Sequence, residues 1–143
     1  MRCNCGIDPK NLTDEHLFAE SRELKMLPSL FKRVGNKSIN KAPTEFTLGK
    51  GHMLFFLYKW MYTYTRYCNC VEELKKRGYN IKDERRRWDI YKDTYREAFF
   101  STGKEADIVK QRISEKIKSS PKEYFHYYHK RISKEEAIEL LTK

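Results

Sequence analysis

Apolar side chains in this chain recur at helical intervals, and nowhere do they alternate in the two-residue rhythm of a half-buried strand. That periodicity predicts an all-α (mainly α) fold. Leu17, Leu24, Leu27 and Phe31 form a buried stripe on a first helix. Thr13 is a good N-cap for it, and Asp14 and Glu15 suit the positive helix end. Pro28 falls inside the pattern and predicts a kink or break there. Residues 35–51 read as loop, with Gly, Pro43 and small polar residues but no period. A second helix runs up to Arg77, with Gly78 where a left-handed cap belongs; its aromatics, from Phe55 through Trp60 to Tyr67, supply the centre of the core. Residues 79–103 are irregular, with Arg85-Arg86-Arg87-Trp88 as the most basic piece. A third helix covers about Lys104 to Lys118, turning Ala106, Val109, Ile113 and Ile117 inward before Ser119-Ser120-Pro121 ends it. Ser133 and Glu136 make a capping box for a short C-terminal helix within about 132–143. The expected architecture is one domain over 1–143: three main helices, long irregular loops and that short last helix.

The 143 residues suit a single core, and 39% apolar with 14% aromatic content excludes a disordered tail. Thirty Lys and Arg against twenty Asp and Glu leave a net charge of +10. The excess is spread along the chain, +2 over residues 1–49, +5 over 50–100 and +3 over 101–143. Such a field implies a polyanionic partner, nucleic acid ahead of a membrane surface. The greasiest window, Met53 to Tyr64, is interrupted by Lys59 and falls short of the roughly 20 apolar residues of a span. Met1-Arg2-Cys3-Asn4-Cys5 lacks a signal-peptide pattern, so the expected setting is the cytoplasm or wherever the nucleic acid resides.

Three groups of residues bear on chemistry. His16, Glu20 and Glu23 fall within about 80° of one another on a helix. They can ligate a metal, or Glu23 can act as a general acid/base beside Arg22, or the face is simply solvated. Cys3-Asn4-Cys5 and Cys68-Asn69-Cys70 are closer-spaced than structural zinc pairs, which favours free thiols. Tyr124-Phe125-His126-Tyr127-Tyr128-His129-Lys130-Arg131 mixes rings and cations, which suits stacking on bases and contact with phosphates, or packing of a C-terminal strip on the core. Arg112 and Lys116, one turn apart, add a ridge of positive charge. P-loop, dinucleotide-binding and Ser/Cys-triad signatures are missing from the sequence.

Taken together, these pieces resemble the phage-type pyrimidine-dimer DNA glycosylases, also called endonuclease V of the dimer-specific kind. The resemblance covers nearly the whole chain except about the last dozen residues. It is carried by Asp14-Glu15-His16-Leu17-Phe18-Ala19-Glu20-Ser21-Arg22-Glu23-Leu24, by Pro43-Thr44 with Phe46, and by Leu48-Gly49-Lys50-Gly51-His52 before Phe55-Phe56. It continues through Leu74-Lys75-Lys76-Arg77-Gly78-Tyr79-Asn80-Ile81-Lys82-Asp83, Arg112 to Ile117, and Tyr127-Tyr128 with Lys130.

The resemblance implies a bifunctional glycosylase and abasic-site lyase using no metal and no organic cofactor. Its nucleophile would be the terminal α-amine, here of Met1. An α-amine has a reference pKa of about 7.7–8.0, which leaves free base near neutral pH. Glu23 would shuttle protons, with Arg22 beside it. DNA contacts would fall to Arg2, His16, Lys25, Lys32, Arg33, Arg112, Lys116, Tyr127, Tyr128 and Lys130. The implied partner of this monomer is double-stranded DNA carrying pyrimidine dimers or abasic sites, whose weakened stacking lowers the cost of extruding a base. The chain departs from the family pattern in two places: Arg2 follows Met1 directly, and Lys25-Met26 stands where Pro-Arg is usual. Two other readings stay open, a non-catalytic damaged-DNA binder of the same fold and a metal-dependent nuclease built on His16, Glu20 and Glu23.

Overall fold

The structure, a computed structural model, describes residues 1–92, 94 and 98–143. Its helices are α1 (Asp14–Leu24), α2 (Met26–Val34), α3 (His52–Leu57), α4 (Trp60–Lys76), α5 (Gly103–Ser119) and α6 (Lys134–Leu140), with a two-stranded sheet between α5 and α6. The fold is mainly helical, as the periodicity predicts. Short 3-10 turns at Gly35–Lys41, Gly49–Gly51 and Arg85–Tyr91 occupy the stretches read as loop or irregular.

Two helices divide where the sequence predicts continuity or a different break. The first pauses at Lys25, and Pro28 becomes the third residue of α2. A proline costs nothing in a first turn, whose N–H groups lack intrahelical partners anyway, so the break moves ahead of it. The predicted second helix is two, α3 and α4, separated at Tyr58-Lys59. Lys59 Nζ donates to the Phe55 carbonyl at 2.8 Å, taking the acceptor that its own backbone N–H would use in an unbroken helix. That N–H turns instead to Phe56 O at 3.0 Å.

The sequence shows no strand, and this expectation is corrected by an antiparallel hairpin, β1 (Tyr124–Tyr127) and β2 (Lys130–Ser133), with Phe125 opposite Ile132. Its two-residue turn, Tyr128-His129, has φ of 51° and 69°, a conformation usually given to Asn-Gly. Tertiary contacts override that preference. The buried Asp14 carboxylate accepts both turn N–H groups, Tyr128 at 3.1 Å and His129 at 3.0 Å, and His129 stacks on Tyr79 with centroids 4.0 Å apart.

The caps expected at Thr13 and Ser133 form: Thr13 Oγ1 accepts from His16 N at the start of α1, and Ser133 and Glu136 box α6. Thr102 and Glu105 add a box on α5 beyond those expected. α1 and α4 pack against each other, and Leu17, Leu24, Tyr67, Leu74, Val109, Ile113 and Ile117 meet in the core. Gly6, at φ +80°, brings the amino-terminal segment against α5 so closely that a Cβ there would lie 2.7 Å from Ala106 Cβ. Among the described residues, no helix is long and apolar enough to cross a membrane.

Asp14 ties α1, α4 and the hairpin together, since Arg77 Nη1 also donates to it at 2.7 Å and the Tyr79 hydroxyl does likewise. Burial works against its charge, but these donors prevail and hold the carboxyl below its usual range. Asp14→Ala leaves Arg77 with Glu73 as its remaining carboxylate, removes the acceptor of both turn amides, and is expected to cost about 3 kcal/mol in urea denaturation. The wild-type contribution should be complete above about pH 4, the unfolded carboxyl's range, and vanish as pH falls through the lower native value.

Candidate active site

The site begins with a buried charge. Glu20 lies on the inward face of α1, fully buried. Arg66 sits on the buried stripe of α4 that also holds Thr63, Tyr67, Cys70, Val71 and Leu74. They meet in a fork, Arg66 Nε to Glu20 Oε2 at 2.7 Å and Nη2 to Oε1 at 2.9 Å. Glu20 also accepts the Asn4 backbone N–H at 2.9 Å and its side-chain amide at 3.1 Å, and Arg66 Nη1 donates to the Ile7 carbonyl. A buried pair repays its desolvation only when its remaining hydrogen-bonding capacity is filled. Here the amino-terminal segment fills it, and is thereby fixed to the core. Cys3 N–H adds a bond to His52 Nε2 at 3.1 Å.

This anchoring delivers the first two residues to the far end of α1. Met1 is half-buried against the core. Arg2 Nε approaches Glu23 Oε2 to 2.5 Å as an ion pair. That oxygen is buried, and no donor among the described residues is aligned on it for a regular hydrogen bond. From α5, Arg112 and Lys116 act on the same cluster. Burial and then the nearby Arg2 lower the Arg112 guanidinium's affinity for its proton, and burial with Arg112 and Arg2 does the same at Lys116. Arg112 Nε is buried with no acceptor among the described residues. One carboxylate and three crowded cations therefore share one patch, and an incoming anion would relieve the cations' mutual repulsion.

Residues 3–87 match the family described as pyrimidine dimer DNA glycosylase. The chain belongs to that family. The matched stretch runs from the anchored Cys3 through all of α1 to α4, and so contains Glu20, Glu23, His52 and Arg66. A pyrimidine dimer DNA glycosylase works on dimer-bearing DNA in repair, which fits the positive charge read from the sequence.

The structure brings some of the expected glycosylase residues together and separates others. Arg2, Glu23, Arg112 and Lys116 form the patch just described, with Met1 next to Arg2 in the chain. Arg22 is exposed beside it and lines a shallow cleft of about 260 Å³ with Lys25, Arg33 and Arg87. Lys25 is not idle there: it pairs with Glu84, which also accepts from Arg87 at 2.9 Å. Lys25 and then Arg87 pull the Glu84 carboxyl down to about 2. Lys32 is exposed on α2.

Tyr127 and Tyr128 lie at the opposite end of α1 from Glu23. They flank Arg77, each ring centroid 4.7 Å from its guanidinium carbon, and their hydroxyls donate to Lys10 O and Glu73 Oε1 at 2.8 Å. Lys130 is exposed opposite Tyr127 in the hairpin. His16, Glu20 and Glu23 do not converge as a metal-ligand set: Glu20 is bonded to Arg66, Glu23 to Arg2, and His16 Nδ1 lies 2.6 Å from Thr13 Oγ1. Cys3, Cys5 and Cys70 are buried free thiols, and burial pushes Cys5 up to about 12.

Sequence reading missed Arg66 and His52. Arg66 left a signal, a lone cation on an otherwise apolar helical stripe, which in a folded chain demands a buried carboxylate. His52 left none beyond its place in the Gly51-His52 motif.

Burial, reinforced by Arg2, lowers the His16 pKa to about 4. With Thr13 Oγ1 accepting the His16 N–H, its own proton points to Nδ1, which leaves Nε2–H as the ring's donor. An NMR titration should find His16 neutral near pH 7. Because the unfolded ring binds its proton first, at about 6.5, this residue should lower stability as pH falls from about 6.5 toward 4.

Proposed function

We propose that the protein cuts the glycosidic bond at pyrimidine dimers and then breaks the backbone at the resulting abasic sugar, with the Met1 α-amine as nucleophile. What supports this reading is the Arg2–Glu23 ion pair, which brings the residue next to Met1 onto the Glu23 carboxylate. The uncharged amine attacks C1′ of the 5′ sugar. The C1′–N bond breaks, and the base leaves with the electron pair and takes up a proton. The amine loses a proton as the sugar ring opens to O4′–H, giving an imine between the α-nitrogen and C1′. Glu23 then takes a proton from C2′, the C3′–O bond breaks, and the 3′ phosphate leaves. Water releases the protein from the imine. Each step needs a base or acid of modest strength at one place, which a single carboxylate can supply in alternation.

Arg2, Arg112 and Lys116 receive the phosphates flanking the lesion, and the acceptor that Arg112 Nε lacks is a phosphate oxygen. Arg22, Lys25, Lys32 and Arg33 extend the contact along α1 and α2, with Lys25 exchanging Glu84 for DNA. His16 contributes as a neutral donor. Tyr127, Tyr128 and Lys130 touch DNA at the far end of α1, about 14 Å along the helix axis at its usual rise. Affinity then comes from the backbone and falls with salt, while selectivity comes from the ease of distorting damaged duplex.

Borohydride should trap the protein on duplex bearing a dimer or an abasic site, and peptide mapping should find the adduct at the first residue. Intact mass of the purified protein establishes whether that residue is Met1. Glu23→Gln is expected to slow nicking by at least about 100-fold while leaving duplex affinity within a few-fold. Nicking at the wild-type rate by this variant, or after blocking of the α-amine, would overturn the mechanism. Arg112→Gln should weaken binding across all sequences and reduce the salt slope by about 1.

A further inference from the structure

His52 takes no part in the chemistry above, yet it is 1% exposed and both ring nitrogens are committed. Nδ1 lies 2.9 Å from the Thr47 carbonyl oxygen, which can only accept, so Nδ1 carries the proton. Nε2 is then an acceptor, and it receives the Cys3 backbone N–H at 3.1 Å. A protonated ring could keep the first bond but would lose the second. Phe46 and Phe56 hold the imidazole edge-to-face, with centroids 5.6 and 5.1 Å away. Thr47 is pressed into place because Gly51 has no side chain: a Cβ there would come within 2.8 Å of Thr47 Cγ2 and 2.9 Å of Pro43 Cγ.

The charged groups acting on the ring come from three directions. Arg112 on α5 and the chain's amino-terminal charge oppose its protonation, and Glu20 on α1 favours it. Burial is the largest influence, and although the Thr47 carbonyl works against it the ring is driven down to about 4. The imidazole is therefore in its accepting form at neutral pH.

Consecutive backbone amides are thus gripped from two helices, Cys3 by His52 of α3 and Asn4 by Glu20 of α1. The two residues ahead of this double grip are Arg2 and Met1. Each residue spans roughly 3.3–3.6 Å of extended chain, so release of the Cys3 amide would let the terminus wander by several ångströms.

We propose that His52 is a positioning residue of the reaction: by accepting the Cys3 N–H it aims the first residue's α-amine at the sugar beside Glu23. This inference rests on the amine being the nucleophile. His52 touches no substrate and acts only through the backbone it holds.

The test uses full-length protein, single-turnover borohydride trapping on duplex with one abasic site, and hydrogen exchange of the Cys3 amide followed by NMR in the free protein. His52→Asn still reaches Thr47 but is too short to accept from Cys3. His52→Gln places its Oε1 near the position of Nε2. His52→Asn is expected to lower the trapping rate about 10- to 100-fold with unchanged duplex affinity, and to speed exchange at Cys3. His52→Gln should recover most of both. A His52→Asn protein with wild-type trapping and a protected Cys3 amide overturns the proposal, as does equal loss of trapping in both variants while the Cys3 amide stays protected. Failure of the wild type to trap would instead strike the amine mechanism, and Cys3 exchange would still decide whether His52 holds the terminus.

Discussion

The Glu20–Arg66 pair is the constraint on which the rest of this molecule depends. Two opposite charges with almost no exposure must saturate each other and every remaining lone pair and proton, or the fold loses several kcal/mol. Two donors come from Arg66 and two from Asn4, and the last guanidinium nitrogen goes to Ile7. The stability of the α1–α4 interface and the location of the amino-terminal segment are therefore one requirement. The proposed amine chemistry, which requires the end of the chain at a defined place, would gain from this arrangement, since terminal residues otherwise fray.

Electrostatics at the site follow from the same geometry. α1 carries Glu20 inward and Glu23, three residues on, to a partly exposed position, so one carboxylate is paired with Arg66 in the core and its neighbour with Arg2. Around Glu23 the cations outnumber the anions, and two of them, Arg112 and Lys116, hold their protons less tightly than usual because burial and neighbouring cations, Arg2 at the first and Arg112 with Arg2 at the second, disfavour the charge. Such a patch is poised for a polyanion and has reason to accept one. The second concentration of charge, around Lys25, Glu84 and Arg87, is internally balanced. It can shape contact with DNA without generating the same pull.

The helical architecture was legible wherever local signals and tertiary structure agreed: Thr13, Ser133 and Gly78 sit at the helix ends where the sequence puts them. Glu23 was legible only through the family motif, because on spacing alone it belongs to an ordinary polar face. What the sequence hid depends on long-range contacts. Tyr128-His129 is a poor hairpin turn until Asp14, more than a hundred positions away, offers a carboxylate to both amides. The split between α3 and α4 needs no helix breaker, since Lys59 competes with its own backbone for the Phe55 carbonyl. His16, Glu20 and Glu23 share a face by helical arithmetic, but which of them is buried and which stays partly exposed follows from Arg66 and Arg2, which periodicity does not reveal.

The contact between Gly6 and Ala106 leaves no spare methyl group between the amino-terminal turn and α5. Positions 6 and 106, a hundred residues apart, thus limit each other's size. Anything bulkier than alanine at 106 would force residues 5–7 onto another course and give the first residue another address.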